Sequence, residues 1–249
     1  PGMYPYYLQS FIMPNIASLG NGMDTIKAIN NMEEGIWESD AVKGAIERLE
    51  YMRDKGYFYN GLISLNHTEA QMEFINGRVA MIAAGSWLEN EMAGNWPDGF
   101  ELTYMTTPAG ESASDEKFVV VSGNLFGFPS EAKNKEWIGE FLQTYYSPEN
   151  AKVVAEDFEV AISPAMAVEN QDVRKALNSS TVSSLEAAYE HNKMFMLYNI
   201  WYPEFHETYQ NNLTALISGE INADEFCERM EAEAEKIRND DSITKYKVD

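Results

Sequence analysis

The sequence predicts an α/β fold, because short apolar strands are mixed with longer amphipathic helices along its 249 residues. Three runs have the composition of strands, namely Val79–Ala84, Phe100–Met105 and Phe118–Ser122. The last is almost entirely β-branched or aromatic. Apolar residues at helical spacing occupy most of the remaining chain, and there is no internal repeat or low-complexity tract. This mixture is typical of the α/β class.

The first elements follow from capping and turn signals. Residues 1–20 are aromatic and apolar and begin without a cap, as if an upstream element were missing. Ser39 is expected to cap a helix that ends at Gly56. Thr68 with Gln71 has the pattern of a capping box for a short helix before the strand at residues 79–84.

The later elements are mostly helical. Ser130 is expected to cap a helix that carries Trp137 and Phe141, and Ser147-Pro148 to begin another, with proline in its first turn. Residues 172–198 have a helical pattern that is interrupted at residues 179–184. The last two helices are predicted from apolar stripes, at Phe205, Tyr209, Leu213 and Leu216, ending at Gly219, and at Phe226, Met230, Ala234 and Ile237.

Composition argues against several classes of function. Forty acidic residues against 18 basic ones give a net charge of −22, which would repel phosphate backbones and anionic membranes. The three histidines have no partner at metal-ligand spacing, and no phosphate loop, dinucleotide fingerprint or nucleophile elbow is present. The sequence therefore predicts no catalytic residue, no metal and no cofactor, and no nucleic-acid partner.

The segment Asn76 to Trp87 is the most informative part of the chain. It reads as a helix end, a turn, an apolar strand, a glycine and then a tryptophan. In α/β folds, ligands bind outside the carboxyl ends of the strands, and Trp87 would lie there. A flat apolar ring suits a sugar better than a metal or a phosphate. The alternative is that Trp87 is a core aromatic that covers the end of the strand.

Residues 74–87 also resemble a signature of a known family. They fit the pattern F-x-x-G-x-x-A-M-x-x-x-G-x-W of family 1 extracellular solute-binding proteins, the sugar-capturing, maltose-binding-protein-like components of ABC importers. Five further segments are similar to segments of that family and occur in the same order, at residues 100–108, 118–135, 147–155, 161–164 and 213–237. The resemblance covers about residues 1–238.

The resemblance implies a periplasmic-binding-protein-like type II fold, of which the chain holds mostly lobe two. Residues 1–123 and 171–249 would belong to lobe two, and residues 124–170 would be an excursion into lobe one. Family members begin with a leader and a first half of lobe one, and neither is found here. The excursion would then expose apolar surface around Trp137 and Phe141, unless the missing lobe-one half or a partner chain covers it.

The resemblance also implies ligand-binding residues. Trp87 falls where the family places a sugar-stacking aromatic, and Tyr6 or Tyr7 lies in a segment similar to one that lines the lobe-two side of the cleft. At the position nearest the aromatic residue that stacks on the sugar in maltose-binding relatives, this sequence has His206. The resemblance therefore assigns the stacking on the sugar to Trp201 or Tyr202 instead. Glu89 is a candidate hydroxyl acceptor. Asn124, at the expected lobe crossing, would be a hinge, a ligand contact or a turn residue.

The function implied is non-catalytic capture of a carbohydrate-type solute for an ABC permease. Such a receptor would lie in the periplasm or on the extracellular face of a bacterial membrane, exported or tethered through an N-terminal leader that this sequence does not contain. Three alternatives stay open: a glycoside hydrolase or other carbohydrate-active enzyme using two of the many carboxylates, a receptor of the same fold for another solute, and an interaction domain whose aromatics are all core.

Overall fold

A computed structural model describes residues 5–109, 118–121, 126–189, 194–196 and 202–248. Backbone contacts divide the chain into two compact units. Unit 1 comprises the described parts of Pro1–Ala83, Thr106–Val121 and His191–Asp249, and unit 2 those of Ala84–Met105 and Ser122–Glu190. The predicted assignment of residues 1–123, 124–170 and 171–249 to two lobes stays a prediction.

The elements of the described residues are mostly helices. In chain order they are α1 Gln9–Leu19, α2 Met23–Asn30, α3 Asp40–Asp54, α4 His67–Ile75, α5 Leu88–Glu91, β1 Val119–Val121, α6 Ile138–Tyr145, α7 Pro148–Phe158, α8 Pro164–Glu169, α9 Gln171–Ala176, α10 Ser179–Tyr189, β2 Met194–Met196, α11 Pro203–Ser218 and α12 Ala223–Asn239. The strands β1 and β2 pair in parallel, with Val119 opposite Met194.

The core of unit 1 forms where α1, α3, α11 and α12 pack together. The apolar stripes predicted for α11 and α12 are buried, which confirms both helices. Gly219 ends α11 in a left-handed conformation, with φ of 81°, that favours glycine. Trp37 is fully buried, and its ring lies 5.4 Å from that of Phe205 and 6.1 Å from that of Tyr209, measured between centroids.

A carboxylate of α12 holds the loop that carries Trp37. Glu231 accepts hydrogen bonds from the backbone N–H groups of Gly35 (2.9 Å) and Trp37 (3.2 Å) and from the guanidinium of Arg238 (2.6 Å). Burial alone would raise the pKa of Glu231, but these hydrogen bonds outweigh it, and the pKa lies below its ordinary value. The charged form of Glu231 therefore stabilises the folded state.

Unit 2 has a smaller core, in which α7 packs against α9. Ser147 caps α7 by accepting from the N–H of Asn150 (3.1 Å), as its sequence predicts. The core residues are Ala151, Ala155, Ile162, Ala167, Val173, Leu177 and Leu185. The small alanines allow the helices of this unit to approach closely.

Of the three predicted strands, only the third is confirmed, at Val119–Val121. Residues 79–84 and 100–105 form no strand, and Met81 is 71% exposed. A strand persists only where its backbone groups pair with a neighbour. Within the described residues, β1 and β2 pair with each other and neither of the two failed segments has such a neighbour.

Several helix predictions need correction. The cap of α4 is Asn66, which forms a capping box with Glu69, and not Thr68 with Gln71. Ser130 caps no helix, because its hydroxyl donates to Glu131 and α6 begins only at Ile138. The predicted interruption at residues 179–184 is the beginning of α10, and residues 194–196, predicted helical, form β2.

The predicted exposure of apolar surface in residues 124–170 is confirmed. Trp137 is 58% exposed and Phe141 is 51% exposed. No residue of α6 is buried in the described structure, although Phe126, Phe141 and Tyr145 contact one another, with ring centroids about 6 Å apart. Unit 2 therefore presents exposed aromatic residues, called here the aromatic face and defined as Phe126, Trp137 and Phe141.

Candidate functional site

Trp87 lies immediately before α5 in unit 2, and its side chain is 44% exposed. The residue after it, Leu88, is 1% exposed and anchors α5 in the protein. The six-membered part of the Trp87 indole folds back over Gly85, since a Cβ at residue 85 would overlap with ring atoms Cζ3, Cη2 and Cε3. An indole that lies over the main chain and is partly open to solvent offers a flat apolar surface that a ligand face can contact.

Tyr104 braces the turn beneath that ring. Its hydroxyl donates to the carbonyl of Gly85 (2.8 Å), which also accepts from the N–H of Leu88 (3.1 Å). Burial raises the pKa of Tyr104 to about 12, and the negative charge of Glu89 adds to the rise. The phenol is therefore neutral and remains a donor at physiological pH.

Glu89, the predicted hydroxyl acceptor, is engaged within unit 2. Its Oε2 accepts from the hydroxyl of Ser180, a residue of α10 that is 1% exposed. Its backbone carbonyl accepts from the indole N–H of Trp96 (3.0 Å). The carboxylate thereby fastens α5 to α10, and its role as a ligand contact stays a prediction.

Tyr7 belongs to unit 1 and lies in a short 3-10 helix, Pro5–Leu8. Its hydroxyl lies 3.1 Å from Nδ1 of His67, and the two rings stack with centroids 5.6 Å apart. Nε2 of His67 lies 3.0 Å from the amide nitrogen of Gln71. The side chain of Tyr6 lies outside the described part of the structure.

Tyr202 and His206 also belong to unit 1, at the beginning of α11. The Tyr202 hydroxyl accepts from the N–H of Tyr246 (3.1 Å), and the two tyrosine rings stack with centroids 5.8 Å apart. His206 is partly exposed in the first turn. Trp201 and Asn124 lie outside the described residues.

The structure thus groups the predicted residues within each unit. Trp87 and Glu89 lie two residues apart in unit 2, and Tyr202 and His206 lie one helical turn apart in unit 1, where the N–H of His206 donates to the carbonyl of Tyr202 (2.9 Å). Sequence reasoning missed Gly85, Tyr104 and Ser180 as supports of Trp87 and Glu89. Only Gly85 had a local signal, the Gly-Ser-Trp turn itself.

Cavities lie elsewhere in each unit. One of about 610 Å³ in unit 2 is bordered by Pro148, Met166 and Asp172, and one of about 430 Å³ in unit 1 by Phe11 and Tyr51. Neither is lined by a predicted ligand-binding residue.

The described residues also bear on metal binding and on membrane insertion. They contain no group of three histidine, cysteine or acidic residues placed to hold a metal ion. In the same part of the chain, no helix is both long and apolar enough to cross a membrane.

Comparisons with known proteins identify the family. A curated relative, the diacetylchitobiose binding protein NgcE of Streptomyces coelicolor, is 26% identical over 246 residues, which cover 93% of this chain and 50% of the relative. A solved structure of a chitin oligosaccharide binding protein superimposes with a TM-score of 0.72 at 18% identity, covering 91% of this chain and 56% of the other. The chain thus spans about half the length of these relatives, and the likeness confirms the predicted solute-binding-protein fold. The profile of the bacterial extracellular solute-binding proteins matches residues 9–178, more than half of the sequence, and the chain therefore belongs to that family.

Proposed function

We propose that the protein captures a chitin-type oligosaccharide, without chemistry, at a surface that includes Trp87, for delivery to an ABC import permease. The observation that carries this proposal is the partly exposed indole of Trp87, which lies over the main chain. The names of the two relatives, one binding diacetylchitobiose and one chitin oligosaccharides, support the ligand class.

The chemistry of the ligand fits an aromatic platform. A pyranose ring has apolar C–H faces and a polar rim, and in chitin oligosaccharides the rim also carries acetamido groups. An indole can cover one face, while amide, hydroxyl and carboxylate groups pair with the rim, as in most small-molecule sites. The sugar would bind without cleavage of any bond, because transport requires only that the receptor bind the sugar and then release it.

The remaining predicted contacts are part of the proposal. Tyr7 and Tyr202 would each contribute the ring face opposite the one that stacks on His67 or Tyr246, because their hydroxyls already have protein partners. Tyr6, Trp201, His206, Glu89 and Asn124 are the further candidate contacts. Tyr6, Trp201 and His206 are assigned by their positions in segments similar to the family's, Asn124 by its place at the expected lobe crossing, and Glu89 as a hydroxyl acceptor.

We also propose that the aromatic face of unit 2 is covered by a lobe-one half of the solute-binding fold or by a partner chain. The support is its exposure, since contiguous exposed apolar surface marks an interaction site, together with the twofold greater length of the relatives. In the intact receptor, a leader would direct the protein to the periplasm or the extracellular membrane face. Permease subunits would be the membrane partner.

Isothermal titration calorimetry with a panel of sugars tests the ligand class. We expect saturable binding of di-N-acetylchitobiose and weaker or absent binding of cellobiose and maltose, which lack acetamido groups. Saturable binding of peptides or polyamines with no response to any sugar would refute the carbohydrate proposal and leave a receptor for another solute.

Incubation with a chitin oligosaccharide tests the non-catalytic part. Chromatography of the mixture should recover the sugar intact after many hours. Hydrolysis that a single acidic substitution abolishes would instead establish the glycosidase alternative.

A further inference from the structure

We infer that Gly85 and Tyr104 are positioning residues that fix the Trp87 indole in its ligand-binding orientation. This inference rests on the proposed function for its effect on affinity, while its effect on the ring itself can be measured without any ligand. Both residues act on Trp87 and neither is assigned a ligand contact. All three residues belong to unit 2.

Gly85 acts by leaving space. The indole lies where the side chain of any other residue at position 85 would begin, in contact with the Gly85 main chain. The atoms that a Cβ would meet are at the far end of the Trp87 side chain, so that an alanine would displace the ring and leave the backbone in place. The φ of Gly85 is not in the left-handed region, so that the backbone conformation of the turn does not require glycine. The position of the Trp87 ring does require it.

Tyr104 acts by holding the turn. Its hydroxyl donates to the Gly85 carbonyl across 19 residues of sequence. Its own backbone is anchored, because its N–H donates to the Ser183 hydroxyl (3.0 Å) and the neighbouring Thr103 hydroxyl lies 3.0 Å from the same oxygen. The turn that carries the indole is therefore connected through Tyr104 to α10.

A second connection keeps α5 itself in place. The amide of Asn90 donates to the carbonyl of Phe158 (2.9 Å), at the end of α7, and Ser180 of α10 donates to Glu89. The platform is consequently held by helices from a distant part of the sequence. A side chain ordered before binding loses less conformational entropy when the ligand arrives, which raises affinity without adding a contact.

A double-mutant cycle tests the positioning role. Tyr104→Phe keeps the ring and removes only the hydroxyl, and we expect it to weaken binding of di-N-acetylchitobiose about 3- to 10-fold, the cost of immobilising about one side chain on binding. In a Trp87→Ala background the same change should have no further effect. Gly85→Ala should likewise weaken binding when Trp87 is present and have no further effect in the Trp87→Ala background. The matched control is Tyr57→Phe, which removes the hydroxyl of a 66% exposed tyrosine of unit 1. Equal losses in both backgrounds would overturn the inference, because a general structural role would act without Trp87.

A second measurement needs no ligand. The difference in fluorescence between each protein and its Trp87→Ala counterpart isolates the emission of Trp87. Acrylamide should quench this emission more strongly in Tyr104→Phe and Gly85→Ala than in the parent, since the ring is released from the Gly85 surface. Unchanged quenching in both variants would overturn the positioning role even if sugar binds. Increased quenching with no sugar binding would instead refute the proposed function and leave the positioning role established.

Discussion

Replacement of Trp87 by alanine removes the platform on which the proposed function depends, and the structure sets the size of the effect. About 44% of the side chain is exposed, which is ~110 Å² if an indole offers about 250 Å². A pyranose covers one face, about half of that area, and burying ~55 Å² contributes ~1.4 kcal/mol at about 25 cal/mol per Å². Ring stacking adds ~0.5–1.5 kcal/mol. The total, ~2–3 kcal/mol, corresponds to a roughly 30- to 150-fold increase in Kd for Trp87→Ala.

Calorimetric titration with di-N-acetylchitobiose measures this change. Trp87→Phe should recover part of the affinity, because a smaller ring still stacks. Phe128→Ala is the control, since Phe128 is another exposed aromatic of unit 2, at 43%. A Kd for Trp87→Ala within about twofold of the parent would refute the platform, as would an equal loss in Phe128→Ala.

Three further predictions concern stability and reactivity. Glu231→Gln should lower the free energy of unfolding by about 1–2 kcal/mol at pH 7. Because the pKa of Glu231 is lowered in the folded protein, this loss should shrink as the pH falls from about 4.3, the pKa in the unfolded chain, through the lowered pKa of the folded state. Urea titrations measure the difference between the two proteins, and a difference that does not change with pH would contradict the prediction. Burial raises the pKa of the Cys227 thiol to about 12. The contribution of the buried, protonated thiol to folding stability is therefore present below pH ~8.5 and is lost as the pH rises toward 12. A thiol reagent at pH 8 should label Cys227 only upon unfolding, and labelling within minutes in the native protein would disprove its burial. Asn66→Ala should lower the free energy of unfolding by about 1 kcal/mol, because it removes a helix cap, whereas Thr68→Ala should change it little. If thermal unfolding shows Thr68→Ala to be the more destabilised variant, the cap is Thr68, as predicted from the sequence.

Helices were predictable from this sequence where their signals are local. Ser39 caps α3 and Ser147 caps α7 as predicted, because a capping side chain bonds to a backbone group three residues away. The error at Thr68 is of the same local kind, since two overlapping patterns compete and the earlier one, beginning at Asn66, prevails. Helices α1 and α2 lack such caps and were not predicted.

Strands were less predictable because they depend on distant partners. The apolar run at residues 79–84 has strand composition, yet composition supplies no neighbour. The run at Val119–Val121 does find one, 75 positions along the chain at Met194–Met196, within a segment that reads as helical. Neither segment alone indicates a partner that is so distant in the sequence.

The candidate site divides in the same way. Trp87 is a sequence-based candidate, through the Gly-Ser-Trp turn and the family signature, and its role stays a prediction. The residues that support it could not be predicted, because Tyr104 and Ser180 reach Gly85 and Glu89 across 19 and 91 residues of chain. Glu89 stays a predicted hydroxyl acceptor for the ligand, and the structure adds a hydrogen bond from the distant Ser180 that the local sequence does not indicate.

Contact between the sugar and Trp87 can be observed through the indole N–H resonances of the protein. Each of the five tryptophans gives one N–H peak in a ¹H–¹⁵N correlation spectrum, and Trp87→Phe assigns one of them to Trp87. On addition of di-N-acetylchitobiose, we expect the Trp87 peak to shift in a saturable manner while that of fully buried Trp37 stays in place. A saturated complex in which the Trp87 peak has not moved would contradict this expectation.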